Sequence, residues 1–234
     1  MTRSYSITNE SDQLHTSNGR CPSYALAWSP SDNEHYWPEG HDYFLGNGVN
    51  IDEDDETKEL REILSKRLAN KILTKHILFC DLDGVLADFE QGIVNTCNKT
   101  SDQLNPSLMW RLIRKSDQFF ENLPWTRRGR ELWNAIQQYH PIILTGVPDG
   151  NASFVAQKKN WCKRELGEHV QVITCLSRHK HKYCLPYSIL IDDRIMHHKP
   201  WNEKGGKFIL YDEDYVDSIV ERIDRHMESD LPSP

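Results

Sequence analysis

Cysteine is sparse in this 234-residue sequence, and its spacing excludes several classes of protein. No two of the six cysteines are separated by two residues, so the CxxC pairs of zinc ribbons and dithiol redox sites are absent. Cys80 and Cys175 lie in short apolar runs, where a reduced, buried thiol is the usual occupant. We therefore expect a protein of a reducing compartment, without a disulfide framework.

The chain also lacks long apolar runs and an excess of basic residues. No segment approaches the roughly 20 apolar residues of a membrane helix, and the N-terminus has no signal-peptide core. Glu10 and Asp12 interrupt the acid-poor character of a mitochondrial transit peptide. The net charge of -7 and a pI near 5.9 argue against non-specific binding to nucleic acid or to anionic membranes. A cytoplasmic location without a membrane partner is expected.

The remaining composition allows one generous domain with an appendage. Hydrophobic residues make up 38% of the chain, enough for a core, while the mean hydropathy of -0.69 indicates extended polar segments. We predict an N-terminal extension over 1–74, with disorder over 1–20 and a helix over 57–73. The main domain is expected over 75–228, followed by a short tail over 229–234.

Short apolar runs alternate with amphipathic segments throughout this main domain. Strands are predicted at 76–80, 141–144, 170–175, 188–191 and 207–211. Helices are predicted at 89–98, 105–123, 130–139, 152–166 and 214–226. This alternation is typical of an α/β fold, a three-layer Rossmann-like parallel sheet covered by helices on both faces.

The first predicted strand runs directly into Asp81-Leu-Asp83-Gly84. Residues two apart in an extended segment share a face, so both carboxylates can act on one substrate. Gly84 lets the backbone turn sharply and approach a ligand. A carboxylate can be a covalent nucleophile or a ligand of a hard cation, and a protonated carboxyl can donate to a leaving oxygen.

Two further strands of the predicted sheet also end in polar residues. Thr145 follows the second strand, and Asp192 and Asp193 follow the fourth. Ligands of such sheets bind outside the carboxyl ends of the strands, so these groups are expected to converge. Carboxylates together with a phosphate and water suit Mg²⁺, which indicates a phosphate-handling metal site.

A bound phosphate monoester would need neutral and cationic donors as well. The hydroxyl of Thr145 and the backbone N–H of Gly146 are candidates, with an ammonium from before the fourth strand. Lys182 fits that position, although it lies in a basic run, 178–182, that is also typical of a solvated loop. Histidines at 179 and 181 alternate in this run without other ligands nearby, which does not favour a zinc site.

The pattern resembles the haloacid dehalogenase-like (HAD) superfamily of aspartate-nucleophile phosphatases. The four motifs match as Asp81-Leu-Asp83-Gly-Val85, Thr145, Lys182 and Asp192-Asp193. Within the superfamily the chain looks most like the 5'(3')-deoxyribonucleotidase group. The supporting strings are DGVLADFEQG at 83–92, FFENLP at 119–124, KKNW at 158–161 and LIDDR at 190–194. The resemblance covers about residues 75 to 211.

The resemblance implies a catalytic role for each aspartate. Asp81 would become an aspartyl-phosphate, and Asp83 would protonate the leaving oxygen and then activate water. The Asp83 backbone carbonyl would also contact Mg²⁺. Asp192 or Asp193 would complete the metal site, with Asp192 the preferred choice.

The resemblance also implies how substrate is held. Thr145 and Lys182 would bind the phosphoryl group, and Phe89 would line the substrate pocket. The segment 89–130 would form a small helical cap inserted after the first strand. The expected partner is a small phosphate monoester, with nucleotides the leading candidates.

Two departures from that group keep the substrate open. The group commonly has Ser-Pro after the motif threonine, whereas this chain has Gly146-Val147-Pro148 and lacks that hydroxyl. No aromatic base-stacking segment is recognisable over 97–110. A sugar phosphate, a nucleic-acid 3'-phosphate end and a phosphoprotein remain alternative substrates, and phosphoryl transfer to an acceptor other than water remains an alternative reaction.

A non-catalytic HAD-like binding module is the alternative from another class. Its contacts would come from the N-terminal extension, where aromatic residues cluster over 21–50. All the chemical groups expected of the enzyme are present, which favours catalysis.

Overall fold

The computed structural model describes residues 57–70, 76–148 and 151–228, so the expectations for 1–20 and 229–234 lie outside the described residues. The α-helices are α1 Lys58–Ala69, α2 Phe89–Cys97, α3 Pro106–Lys115, α4 Gly129–Ile136, α5 Ala152–Glu165, α6 His198–Glu203 and α7 Val216–Glu228. The strands are β1 Leu78–Cys80, β2 Ile142–Gly146, β3 Val172–Cys175, β4 Ile189–Asp192 and β5 Lys207–Leu210.

The five strands form one parallel sheet in the order β3-β2-β1-β4-β5. Cys80 of β1 is paired with Ile143 of β2 on one side and with Ile191 of β4 on the other. The chain moves outward from β1 through β2 to β3, then returns to the opposite side of β1 with β4. This reversal places a crevice at the carboxyl ends of the central strands, where ligands bind in sheets of this type. The predicted α/β fold class is confirmed.

Helices cover both faces of the sheet because strand residues alternate in direction. On one face, Leu78 and Cys80 of β1 belong to a core that also contains Trp161 of α5 and Ile219 of α7. On the other face, Phe79 packs in a second core. Its members from outside the sheet include Leu60, Ile63, Tyr183, Leu185 and Trp201.

Polar side chains at the first turns explain where several helices begin. Asp88 accepts a hydrogen bond from the Gln91 N–H at the start of α2, and Asn105 does the same for Ser107 at the start of α3. Asn151 accepts from the first turn of α5. Such caps satisfy N–H groups that have no partner within the helix. Among the helices described, none has the length and apolar character needed to cross a membrane.

Three local features differ from the sequence-based expectations. Helix α3 ends at Lys115, whereas a helix was expected to continue to 123. The Phe120 N–H instead donates to the Gln157 side chain of α5, a tertiary contact that replaces a helical hydrogen bond. A 3₁₀ helix over Ser177–Tyr183 and the short helix α6 were also not predicted.

Candidate active site

The candidate site lies at the carboxyl end of the two central strands. Cys80 of β1 is paired with Ile191 of β4, so the next residues along the two strands, Asp81 and Asp192, meet at this edge. The Asp81 N–H donates to the Ile191 carbonyl at 2.9 Å and holds the chain to this edge. Gly84, which follows shortly after, has φ +79, and this permits the sharp turn expected from the sequence.

Lys180 lies between two of the carboxylates. Its Nζ is 2.8 Å from Asp81 Oδ2 and 2.6 Å from Asp192 Oδ2, and its side chain is only 2% exposed. We call these three residues the Lys180 cluster. Burial alone would favour the neutral amine, but Asp81 and Asp192 raise the pKa of Lys180 above its usual value. The ammonium is therefore retained as a fixed positive charge in the interior.

Loss of hydration and the adjacent Asp81 carboxylate also act on Asp192. Together they raise the pKa of Asp192 to about 6, against the lowering effect of Lys180. The Asp192 Oδ1 atom accepts a hydrogen bond from the Arg194 N–H at 2.9 Å. Both carboxylate oxygens of Asp192 are thus held by donors.

A second buried lysine, Lys158 of α5, serves the other carboxylate. Its Nζ donates to Asp83 Oδ2, to Thr145 Oγ1 at 2.9 Å and to the Gly146 carbonyl at 2.7 Å. We call these four residues the Lys158 cluster. Lys158 is fully buried, and its ammonium also lies 4.6 Å from the centre of the Phe120 ring. The arrangement joins the first strand loop to the end of β2.

Asp83 is less enclosed than Asp81, with 24% of its side chain exposed. Desolvation raises the pKa of Asp83, and the Asp81 carboxylate raises it further, while Lys158 lowers it. One of its oxygens, Oδ1, is buried without a hydrogen-bond partner among the described residues. The carboxyl therefore keeps one oxygen for a ligand.

Three carboxylates could hold a metal ion at this edge. Ligand oxygens of Asp81, Asp192 and Asp193 all lie within 4.8 Å of one another. Asp81 Oδ1 is buried and has no hydrogen-bond partner among the described residues. An orphaned buried carboxylate oxygen in an all-oxygen donor set fits a hard cation such as Mg²⁺.

Asp193 reaches this group from the solvent side, and Gly84 makes room for it. A Cβ built on Gly84 would overlap the Asp193 carboxylate. The glycine of the first motif therefore has a second function besides its positive φ, because it leaves space for the carboxylate that follows the fourth strand.

The predicted pocket residue Phe89 belongs to an aromatic cluster beside the Lys158 cluster. Its ring centre is 6.1 Å from that of Trp110, 5.5 Å from Phe119 and 6.1 Å from Phe120. Trp110 was not recognised as a partner from the sequence. It is contributed by α3, so only the packing of α3 on α2 reveals the pair. A base-binding role for this cluster remains a prediction.

The role of Lys182 as the active-site cation remains a prediction, and the structure adds a second candidate from the same segment. Lys180, two positions earlier in the same basic run, pairs with Asp81 and Asp192. The 3₁₀ helix of this segment turns once every three residues, so lysines two apart point in different directions. Lys180 is buried, whereas Lys182 is partly exposed. A sequence without this local geometry cannot distinguish the two.

Lys158 was missed as a site residue, although the sequence contained a signal for it. Phe154, Lys158 and Trp161 are spaced four and three residues apart, which places the lysine on the apolar face of α5. All three side chains are buried. A lysine on the core side of a helix requires a buried partner, and a carboxylate at a nearby strand end would meet that requirement.

Of the remaining predicted residues, the structure brings Asp81, Asp83, Thr145, Asp192 and Asp193 to one edge, together with the Gly146 carbonyl. Their catalytic and binding roles remain predictions. The division into a main domain over 75–228 and a cap over 89–130 also remains a prediction.

Comparisons with known proteins do not identify a function for the chain. No family model matches the chain, and no curated protein matches it. Among solved structures, a hydrolase from Streptococcus pneumoniae TIGR4 is similar, with 14% sequence identity and a TM-score of 0.40 over 65% of this chain and all of that one. At that score the likeness carries no conclusion about activity.

Proposed function

We propose that the protein is a Mg²⁺-dependent phosphomonoesterase of the HAD-like type that works through an aspartyl-phosphate. The observation that carries this proposal is the pairing of Asp81 and Asp83 with two different buried lysines at one sheet edge. Two carboxylates only two residues apart are thereby given different surroundings. Different surroundings are what a nucleophile and a general acid require.

In the first step Asp81 attacks the phosphorus atom of the bound monoester. A bond forms between an Asp81 oxygen and phosphorus while the bond from phosphorus to the ester oxygen breaks. Asp83 donates its proton to the departing oxygen, and its raised pKa favours the protonated form needed for this. The products of the step are the free alcohol and the aspartyl-phosphate.

In the second step water attacks the same phosphorus atom. Asp83, now ionised, takes a proton from the water, and the bond between Asp81 and phosphorus breaks. Inorganic phosphate leaves, and both carboxyl groups return to their starting protonation states. The Lys158 ammonium holds Asp83 through one oxygen in both steps, which leaves the other oxygen for proton transfer.

The phosphoryl oxygens need donors that are fixed before the substrate binds. Thr145 Oγ1 accepts a hydrogen bond from Lys158, so its own hydroxyl proton is available to the substrate. The Lys180 ammonium provides positive charge beside Asp81. Asp81, Asp192 and Asp193 would hold Mg²⁺, which offsets the repulsion between carboxylates and phosphate when it is bound.

Nucleoside monophosphates are the substrates we favour, in the manner of 5'-nucleotidases. The supporting observation is the half-buried pair of Phe89 and Trp110, since aromatic side chains stack on nucleobases. The preference for a particular base or for ribose or deoxyribose is left to measurement.

The test is release of phosphate from a panel of monoesters. Nucleoside 5'- and 3'-monophosphates, sugar phosphates and p-nitrophenyl phosphate are compared in Mg²⁺ and in EDTA. Asp81→Asn should reduce turnover by about four orders of magnitude or more, because an amide cannot attack phosphorus. The matched control is Asp102→Asn, an exposed aspartate of the 3₁₀ turn Ser101–Gln103, which should keep wild-type rates.

Metal-dependent release that Asp81→Asn abolishes would support the phosphatase, and the ranking of substrates would decide whether it is a nucleotidase. Wild-type rates in Asp81→Asn would show that the nucleophile is wrong. No release from any substrate by the folded protein would favour the binding module instead.

A further inference from the structure

The hydroxyl of Ser177 lies beside Gly146, at a part of the site that the proposed mechanism does not use. Ser177 begins the 3₁₀ helix that carries Lys180. A Cβ built on Gly146 would lie 3.0 Å from the Ser177 Cβ and 3.5 Å from its Oγ. Ser177 therefore occupies the space where a side chain at position 146 would be. Gly146 directly follows Thr145, whose hydroxyl is already assigned to the substrate.

Two side-chain nitrogen atoms lie within hydrogen-bond distance of this hydroxyl. His197 Nε2 is 3.2 Å from Ser177 Oγ, and Arg194 Nη1 donates to the same oxygen at 3.5 Å. His197 is only 5% exposed. Burial, followed by the charge of Lys180, lowers the pKa of His197 to about 4, so its imidazole is neutral near pH 7.

A serine hydroxyl has a single proton to donate and two lone pairs that accept hydrogen bonds. A guanidinium can only donate, and a neutral imidazole donates from Nε2 when its proton is on that atom. In that tautomer Arg194 and His197 both donate to Ser177 Oγ, and the hydroxyl proton then has no acceptor in this pair of contacts. The proton is then available to a third atom, and an oxygen of a ligand bound beside Gly146 would supply that acceptor.

We propose, on the basis of the proposed phosphatase function, that Ser177 is a substrate-binding residue. Its hydroxyl donates a hydrogen bond to a non-bridging oxygen of the phosphoryl group, and His197 is a positioning residue that orients it. No bond to phosphorus forms or breaks at Ser177. The ligand class is a phosphate monoester dianion, with inorganic phosphate as the product that shares the contact.

Ser177→Ala and Ser177→Thr test the hydroxyl, with p-nitrophenyl phosphate and Mg²⁺ for steady-state kinetics. Inorganic phosphate binding is measured separately by calorimetry on the full chain, without turnover. Ser177→Ala should lower kcat/KM and phosphate affinity by about tenfold to a hundredfold, the range for a hydrogen bond to a charged group. Ser177→Thr keeps the hydroxyl and should retain most of both.

His197→Gln and His197→Leu test the positioning role. A glutamine amide can still donate to the hydroxyl, so His197→Gln should resemble wild type more than His197→Leu does. Ser188→Ala is the matched control. Its buried hydroxyl bonds the Leu185 backbone away from this edge, so it should lower the melting temperature without changing KM.

Unchanged KM and unchanged phosphate affinity in folded Ser177→Ala would overturn the proposal, as would equal impairment by Ala and Thr. A lowered melting temperature with wild-type kinetics would assign Ser177 a structural role only. If the wild-type chain releases no phosphate, the enzymatic proposal fails. The calorimetric comparison of wild type with Ser177→Ala still decides whether this hydroxyl binds phosphate.

Discussion

The Lys180 cluster and the Lys158 cluster solve the same problem, a carboxylate at a strand end, in two different ways. In the Lys180 cluster one ammonium is shared by two buried carboxylates, so negative charge is in excess. In the Lys158 cluster one ammonium meets one carboxylate and two neutral acceptors, so the charges balance. The first arrangement is suited to a further cation, and the second to a carboxyl that exchanges a proton.

This comparison shows how neighbouring aspartates acquire different chemistry. Asp81 and Asp83 are separated by one residue, yet each faces a lysine from a different element of the fold. The local sequence supplies the carboxylates, while the partner lysine sets the charge around each of them. If the two clusters are as different as their contacts indicate, substitutions in one cluster should have different effects on activity and stability from substitutions in the other.

The largest expected difference between the clusters is chemical. Asp83→Asn removes the proton donor but leaves the nucleophile, so turnover should fall by about a hundredfold to ten-thousandfold. An aryl phosphate with a good leaving group should still phosphorylate Asp81, and the phosphoenzyme should accumulate because the hydrolytic water has no base. Acid quenching and detection of covalent phosphate measure this directly.

Asp81→Asn provides the contrast, because it should yield no covalent phosphate under the same conditions. Accumulation in both variants, or in neither, would break the division of roles between the two carboxylates. Asp102→Asn again serves as the control with wild-type behaviour.

A second prediction concerns stability. Lys180→Met leaves two buried carboxylates without their cation, so the free energy of unfolding should fall by about 3–5 kcal/mol. Lys158→Met leaves one partly exposed carboxylate without its cation, so the free energy of unfolding should fall by less, about 1–3 kcal/mol. Chemical denaturation at pH 7 in the absence of Mg²⁺ measures both.

Exposed lysines supply the controls for this pair. Lys199→Met and Lys159→Met remove surface ion pairs and should change stability by less than about 1 kcal/mol. A larger loss of unfolding free energy in Lys158→Met than in Lys180→Met would contradict the proposed difference in charge balance between the two clusters.

Alanine substitutions at Gly84 and Gly205 distinguish the effect of backbone strain from the effect of displacing Asp193. Both glycines have positive φ, but a Cβ on Gly205 would meet nothing within 4 Å, while one on Gly84 would overlap Asp193. Alanine at either position should cost about 1–2 kcal/mol of stability. Only Gly84→Ala should also raise the Mg²⁺ concentration needed for half-maximal activity, by about tenfold to a hundredfold.

Titration of activity with Mg²⁺ therefore tests whether metal binding at the proposed site depends on Asp193. Equal Mg²⁺ requirements in the two alanine variants would remove Asp193 from the proposed metal site and leave Asp81 and Asp192 there.

The smallest predicted effect is a shift of the pH profile. Asp83 must be protonated to donate, so activity is lost as pH rises through its pKa. Lys158 lowers the pKa of Asp83, so Lys158→Met should raise that pKa and move the alkaline limb of kcat/KM to higher pH. Lys159→Met, one residue away on the exposed side of α5, should leave the limb in place. A limb that moves to lower pH would contradict the contact.

Much of the fold could be predicted from the chain because its strands are short apolar runs between amphipathic helices. The expected strands correspond to β1 through β5, with differences of a few residues at their ends. Helix α3 was predicted too long since its apolar pattern continues through Phe119 and Phe120. Those rings are buried by the aromatic cluster and by α5 rather than by helical packing.

The candidate site was predictable to the extent that strand ends determine it. Parallel strands bring their carboxyl ends to one edge, so Asp81, Thr145 and Asp192 were expected to meet there. The cations were not predictable in the same way. Lys180 is placed by a 3₁₀ helix between strands, and Lys158 by the contacts of α5 with the end of β2.

By itself, the sequence determined the sheet, the sharp turn at Gly84 and the acidic edge, because alternation and strand-end position are local properties. Only the tertiary structure decided which lysine faces which aspartate and that Ser177 fills the space over Gly146. The physical reason is that these contacts join elements far apart in the chain. Their distances depend on how helices and loops pack against the sheet, which no local pattern records.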